Sequence, residues 1–160
     1  MFVPFEELDN EARVWIYPAS RPFTDAEVVE ISQKLETFLT QWTAHGASLN
    51  ASFSLPYNRF IVIALDENAQ SATGCSIDAS VRIIQELEKI YDIVLLDKMN
   101  ISFKQGEYIT YKSIPDFKAM VKSKSVTENT LVFNNLVLNK YEFLREWEVP
   151  AKDSWHSRYF

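Results

Sequence analysis

Phe60-Ile61-Val62-Ile63-Ala64-Leu65 is a run of six apolar residues. It is short for a helix, rich in β-branched side chains, and preceded by the turn residues Pro56-Tyr57-Asn58. These features predict a strand buried on both faces. Just upstream, residues 48–55 alternate, with Leu49, Ala51, Phe53 and Leu55 on one side and Ser48, Asn50, Ser52 and Ser54 on the other. A period of two predicts a half-buried strand, joined to the first by the turn. Further back, Val28, Ile31, Leu35, Phe38, Leu39 and Trp42 recur at helical spacing behind Thr24 and Glu27, a capping box. Gly46 reads as the glycine that stops this helix. Arg13-Val14-Trp15-Ile16-Tyr17, closed by Pro18, is a strand before it. Downstream, a helix over 76–91 buries a stripe of Ile77, Val81, Ile84 and Leu87. Met99, Ile101 and Phe103 then alternate with Asn100, Ser102 and Lys104 as another half-buried strand.

The resulting order, β-α-β-β-α-β, is ferredoxin-like. The first and third strands of that topology are central, and the second and fourth are edges. The apolar strands fall in the central slots and the alternating strands in the edge slots. Residues 93–96, a short apolar run, compete for the fourth slot. The expected fold is therefore α+β, one domain over 1–160, with a ferredoxin-like core over 1–112. A C-terminal extension over 113–160 is expected to cover the other face of the sheet. It contains a short helix capped by Ser113 with Pro115 in its first turn, an extended run at Leu131-Val132-Phe133, and a helix opened by Asn139 and Glu142. It ends in the aromatic tail Ser154-Trp155-His156-Ser157-Arg158-Tyr159-Phe160, expected to dock on its own core. A homodimer through the same sheet face is the rival way to cover it.

The chain has 160 residues, 47% hydrophobic and 24% charged, an ordinary globular balance. The 16 Lys+Arg against 22 Asp+Glu give a net charge of −6. That sign, with no basic run, argues against a nucleic-acid partner. No stretch approaches the roughly 18 apolar residues of a membrane span, so no membrane insertion is expected. The first seven residues lack the basic and apolar regions of a signal peptide. The single cysteine, Cys75, excludes an intrachain disulfide and fits a reducing, cytoplasmic setting. The three glycines are Gly46, Gly74 and Gly106. A P-loop needs glycine five residues on, where Ala51, Ala79 and Tyr111 stand. A dinucleotide fingerprint needs it two residues on, where Ser48, Ser76 and Tyr108 stand. No cofactor is implied, and two histidines with one cysteine imply no metal site.

Several stretches together resemble a known family: Gln41-Trp42-Thr43-Ala44-His45-Gly46, Asn58-Arg59-Phe60-Ile61-Val62, Gly74-Cys75-Ser76-Ile77-Asp78-Ala79-Ser80, Ser102-Phe103-Lys104-Gln105-Gly106, Phe133-Asn134-Asn135-Leu136 and Trp147-Glu148-Val149-Pro150. Over its full length the chain is similar to a small bacterial family of unknown function, often labelled "ABC transporter ATPase". The resemblance carries no catalytic residues to transfer. The phosphate cradle and the glycine signature that an ABC ATPase requires are absent.

In the expected topology His45 and Gly46, Asp66, the segment from Gly74 to Asp78, and the segment from Lys104 to Gly106 share one pole of the sheet. Two chemistries follow. In the first, Gly74, Ser76, Asp66 and Lys104 border a small-ligand site at a helix N-terminus, where free N–H groups favour an acceptor. The Asp78 carboxylate there disfavours a highly charged anion. In the second, Cys75 is a nucleophile, His45 its base, and Asp78 or Asp66 orients the imidazole. The plainer expectations are that Ser76 is the N-cap, Asp78 complements the helix dipole, and Cys75 is a small buried hydrophobe. The leading expectation is a non-enzymatic interaction or small-ligand-binding module. A cysteine-dependent enzyme is the alternative, and an ATPase, as the family label has it, is a third.

Overall fold

The Thr24 Oγ1 accepts a hydrogen bond of 3.1 Å from the Glu27 N–H, and the Glu27 carboxylate accepts one of 2.9 Å from the Thr24 N–H. The capping box therefore starts the first helix where the spacing puts it. The computed structural model describes residues 1–160. It is a mixed helix-and-sheet fold with antiparallel sheets, as the α+β expectation requires. The chain forms two compact units, Met1–Leu96 with Leu138–Tyr141, and Asp97–Val137 with Glu142–Phe160. The first boundary thus falls after Leu96, whereas the sequence pattern suggests one after residue 112.

The first unit contains β1 (Arg13–Pro18), α1 (Asp25–Gln41), β2 (Thr43–Ala44), β3 (Ala47–Ser48), β4 (Asn50–Ser54), β5 (Phe60–Asp66) and α2 (Gly74–Tyr91). Its main sheet has the order β1-β5-β4, antiparallel throughout. The apolar run Phe60 to Leu65 is central and fully buried on both faces. Ile61, Ile63 and Leu65 point into a core with Ile31, Leu35 and Leu39 of α1 and Ile84 and Leu87 of α2. Arg21 ties the two helices together. Its guanidinium grips the Glu27 carboxylate at 2.8 and 3.0 Å and donates to the Tyr91 carbonyl at 2.6 Å.

Both edges of this sheet are covered by short segments. Beside β4, Val3 donates to the Ala51 carbonyl at 2.9 Å and Ala51 to the Met1 carbonyl at 3.1 Å. Beside β1, Val14 donates to the Leu138 carbonyl at 3.0 Å, and Arg13 bridges Asn139. The Lys140 ammonium, buried, donates to the carbonyls of Leu8 at 2.6 Å and Phe5 at 3.0 Å, and to that of Glu6 at 3.4 Å. A ferredoxin-like sheet has its fourth strand beside the first. Here that edge meets 138–140 instead, and the strand predicted for the slot lies in another sheet. Residues 93–96 do not fill it as a strand either. Of the first five expected elements, β-α-β-β-α, the three strands pair in the expected order, β1-β5-β4.

The second unit contains β6 (Asn100–Gln105), β7 (Tyr108–Ser113), α3 (Ile114–Lys122), β8 (Leu131–Phe133), most of α4 (Lys140–Glu146) and β9 (Glu148–Pro150). Its sheet order is β7-β6-β8-β9. The predicted edge strand around Ile101 and Phe103 is therefore a central one, and Ser102 is buried with them. Ser113 caps α3 by accepting from the Asp116 N–H. The aromatic tail docks on this unit's own core, with the rings of His156, Tyr159 and Phe160 6.0 to 6.3 Å from that of Phe117.

Candidate functional site

Alpha1 ends at Gln41, five residues before Gly46. The glycine is not its stop. Thr43–Ala44 and Ala47–Ser48 pair as a small hairpin, and His45 and Gly46 form its two-residue turn with φ of +51° and +76°. Positive φ at both central positions is the geometry such a turn needs, and glycine supplies one of them without steric cost. His45 is thereby placed, exposed, at the tip of a short hairpin.

The second wall is the start of α2. The N-cap is Thr73, not Ser76. Thr73 Oγ1 accepts from the Ser76 N–H at 3.1 Å, and the Thr73 N–H donates to Ser76 Oγ at 2.6 Å. Ile77 N–H bonds the Thr73 carbonyl. The N–H groups of Gly74 and Cys75, the first two of the helix, have no partner in the chain. Cys75 is exposed, so the expectation of a buried hydrophobe is overturned. Its position at the second residue of the helix, in the most solvated turn, explains why.

The two walls are joined by Trp42. Its indole N–H donates to the Ser76 carbonyl at 2.9 Å in a buried contact. Between them lies a solvent-open cleft of ≈ 420 Å³, bordered on the α1 side by Phe38, Gln41 and Trp42. From the hairpin come Thr43, Ala44 and His45, and from α2 and its cap Thr73, Cys75, Ser76 and Ala79. No Lys, Arg, Asp or Glu lines the cleft.

The structure thus brings His45, Cys75 and Ser76 together, with Gly74 adjoining Cys75. It leaves three expected partners out. Asp78 is exposed on α2 and does not line the cleft. Asp66 ends β5 opposite Asn50, and its carboxylate accepts from the Asn68 N–H at 2.8 Å. Lys104 belongs to the second unit, where it pairs with Glu148 at 3.2 Å. Gly106 goes with it, in the β6–β7 turn at φ +63°. The shared pole therefore fails for Lys104 and Gly106, because the strand that carries them is in the other sheet. Trp42, Thr73, Phe38 and Gln41 were not expected at the site. Trp42 reads as core from its helical spacing, and only its polar indole N–H hints at a second task.

No group of three or more His, Cys, Asp and Glu side chains is placed to hold a metal ion. No helix is long and apolar enough to cross a membrane. Compared with protein-family models, curated proteins and solved structures, the chain matches none.

Proposed function

We propose that the protein is a non-enzymatic, small-ligand-binding module whose ligand occupies the cleft between the β2–β3 hairpin and the start of α2. The observation that carries this is the convergence of His45, Thr73, Cys75 and Ser76 on one open cleft at the first turn of α2, whose leading N–H groups are unpaired. Those N–H groups suit one acceptor group, such as a carboxylate. The half-buried ring of Phe38 suits an apolar body attached to it. The absence of charged lining side chains favours a neutral or singly charged ligand over a polyphosphate. Benzoate has this chemistry and is the probe of choice. Alkylation of Cys75 by iodoacetamide in the folded protein should slow as benzoate is added. A rate unchanged up to the solubility limit contradicts the proposal.

The cysteine-dependent enzyme is the second reading, favoured by the exposure of Cys75 on the same cleft as His45. Asp78 does not supply its third group. If His45 is the base for Cys75, His45→Ala should slow alkylation markedly at neutral pH; a binding module predicts little change. The resemblance to the family labelled "ABC transporter ATPase", the cytoplasmic setting, the homodimer and the lack of a nucleic-acid partner belong to the same proposal. ATP turnover is not part of it, since no glycine loop with a Lys-Ser/Thr pair exists to cradle phosphates. The ferredoxin-like comparison is kept for the first five elements only.

A further inference from the structure

Ser154 to Phe160 holds the buried one of the chain's two histidines. His156 is 1% exposed. Its ring stacks on Trp155, with centroids 3.9 Å apart, and meets Phe117 of α3 edge-on at 6.3 Å. Nδ1 has a partner, the Ser154 hydroxyl at 2.7 Å, whereas Nε2 is buried with none. The tautomer with hydrogen on Nδ1 leaves only a bare lone pair at Nε2, which is the cheaper way to be unsatisfied. Adding a proton there creates a buried N–H and a full charge with no acceptor.

The charges around the ring do not offset that cost. Arg158, on the same turn, is a like charge. Lys118 of α3 lies over the neighbouring Tyr159 ring at 5.5 Å and is also positive. The acidic groups on the two segments that meet at the ring, Asp116 beside Phe117 on α3 and Asp153 on the turn before the tail, are exposed. Lys152 beside Asp153 is exposed as well. On β6, Lys104 is paired with Glu148.

We propose that the aromatic tail is an acid-released clasp on Phe117, docked while the His156 imidazole is neutral and freed when that ring takes up a proton. Trp155, Tyr159 and Phe160 all touch this cluster, so release uncovers a contiguous set of rings on α3 and the tail. Burial, then Arg158, hold the docked imidazole at a pKa of about 4, below its ordinary 6.5. The docked tail is therefore at full strength above pH 6.5 and weakens as pH falls toward 4.

The test is hydrogen exchange of residues 154–160 in the full chain, corrected for the intrinsic pH dependence of exchange. Opening of the tail should rise by on the order of a hundredfold between pH 7 and pH 4. In His156→Phe the rise should vanish while residues 60–66 stay protected in both proteins. Should that variant not fold, the wild-type His156 Cε1–H resonance serves instead. It must titrate together with tail opening, with one proton per molecule. A tail that stays closed with His156 protonated overturns the clasp, as does one that opens equally in His156→Phe.

Discussion

The Trp42 indole N–H donates to the Ser76 carbonyl oxygen at 2.9 Å, out of contact with water. The bond links the residue that ends α1 to the first turn of α2, beside the cleft that both border. The Trp42 ring also packs on Phe38 at 5.5 Å and on Trp15 at 6.2 Å. Trp42→Phe keeps most of that packing and removes the donor. It should lower stability by about 0.5–1.5 kcal/mol, the net contribution of an ordinary hydrogen bond. Urea denaturation measures the loss, and an unchanged midpoint contradicts a structural role for the bond.

Lys140 is a second internal tie. Its ammonium serves three backbone carbonyls of the Phe5–Glu7 turn and Leu8, and lies over the Phe5 ring at 5.2 Å. Lys140→Met retains the stem and deletes the donors. The expected loss is roughly 1.5–3 kcal/mol, the scale of hydrogen bonds to a charged group. Amide exchange at Leu8 and Ala12 should rise with it, since the N-terminal turn loses its anchor.

The Glu27 carboxylate is held at a pKa of about 2, first by its hydrogen bonds from Arg21 and next by the Thr24 N–H. A folded value below the ordinary 4.5 means stability that is present above pH 4.5 and lost as pH falls toward 2. Glu27→Gln should flatten the pH dependence of the melting temperature over that window. Added salt should mimic part of the effect at neutral pH, because the Arg21 side chain is 39% exposed. A wild-type slope identical to that of Glu27→Gln contradicts this assignment.

Removing residues 154–160 strips Phe117 of three ring contacts. Burial of one such ring is worth about 1.5–3 kcal/mol. The truncated chain should melt at lower temperature, with the loss concentrated in the second unit. Equal melting of both chains, followed by calorimetry, contradicts a docked tail.

Legibility in the sequence followed the reach of each signal. Thr24 with Glu27, Ser113 with Pro115, and the run from Phe60 to Leu65 are local patterns, and the structure bears out all three. The fourth strand was legible as a strand but not as a member of a particular sheet. Alternation at Met99 to Lys104 says nothing about which strand it pairs with. Gly46 was misplaced because strands of two residues, Thr43–Ala44 and Ala47–Ser48, are too short to show a period. The buried stripe of α2 is Ser76, Ser80, Ile84 and Leu87. Two serines look solvent-facing in a pattern of hydrophobicity. They tolerate burial because their hydroxyls bond backbone carbonyls close by, Ser76 to Thr73 at 2.9 Å and Ser80 to Ile77 at 2.6 Å. At the site, His45 and Cys75 line one cleft because the connection after α1 and the start of α2 both belong to the first unit, whereas Lys104 lies on a strand of the second unit's sheet. The hairpin that carries His45 is not legible in the sequence.

The cleft itself is tested most directly by amide shifts in a two-dimensional nitrogen–proton NMR titration with benzoate. Binding there predicts saturable shifts at Cys75, Gly74 and His45 and at the Trp42 indole N–H, with none at Arg21 or Tyr91, at the opposite end of α2. The same shifts should be lost in Ala79→Trp, which fills the cleft from α2. Shifts that do not saturate, or that spread evenly over both units, contradict a ligand site between the hairpin and α2.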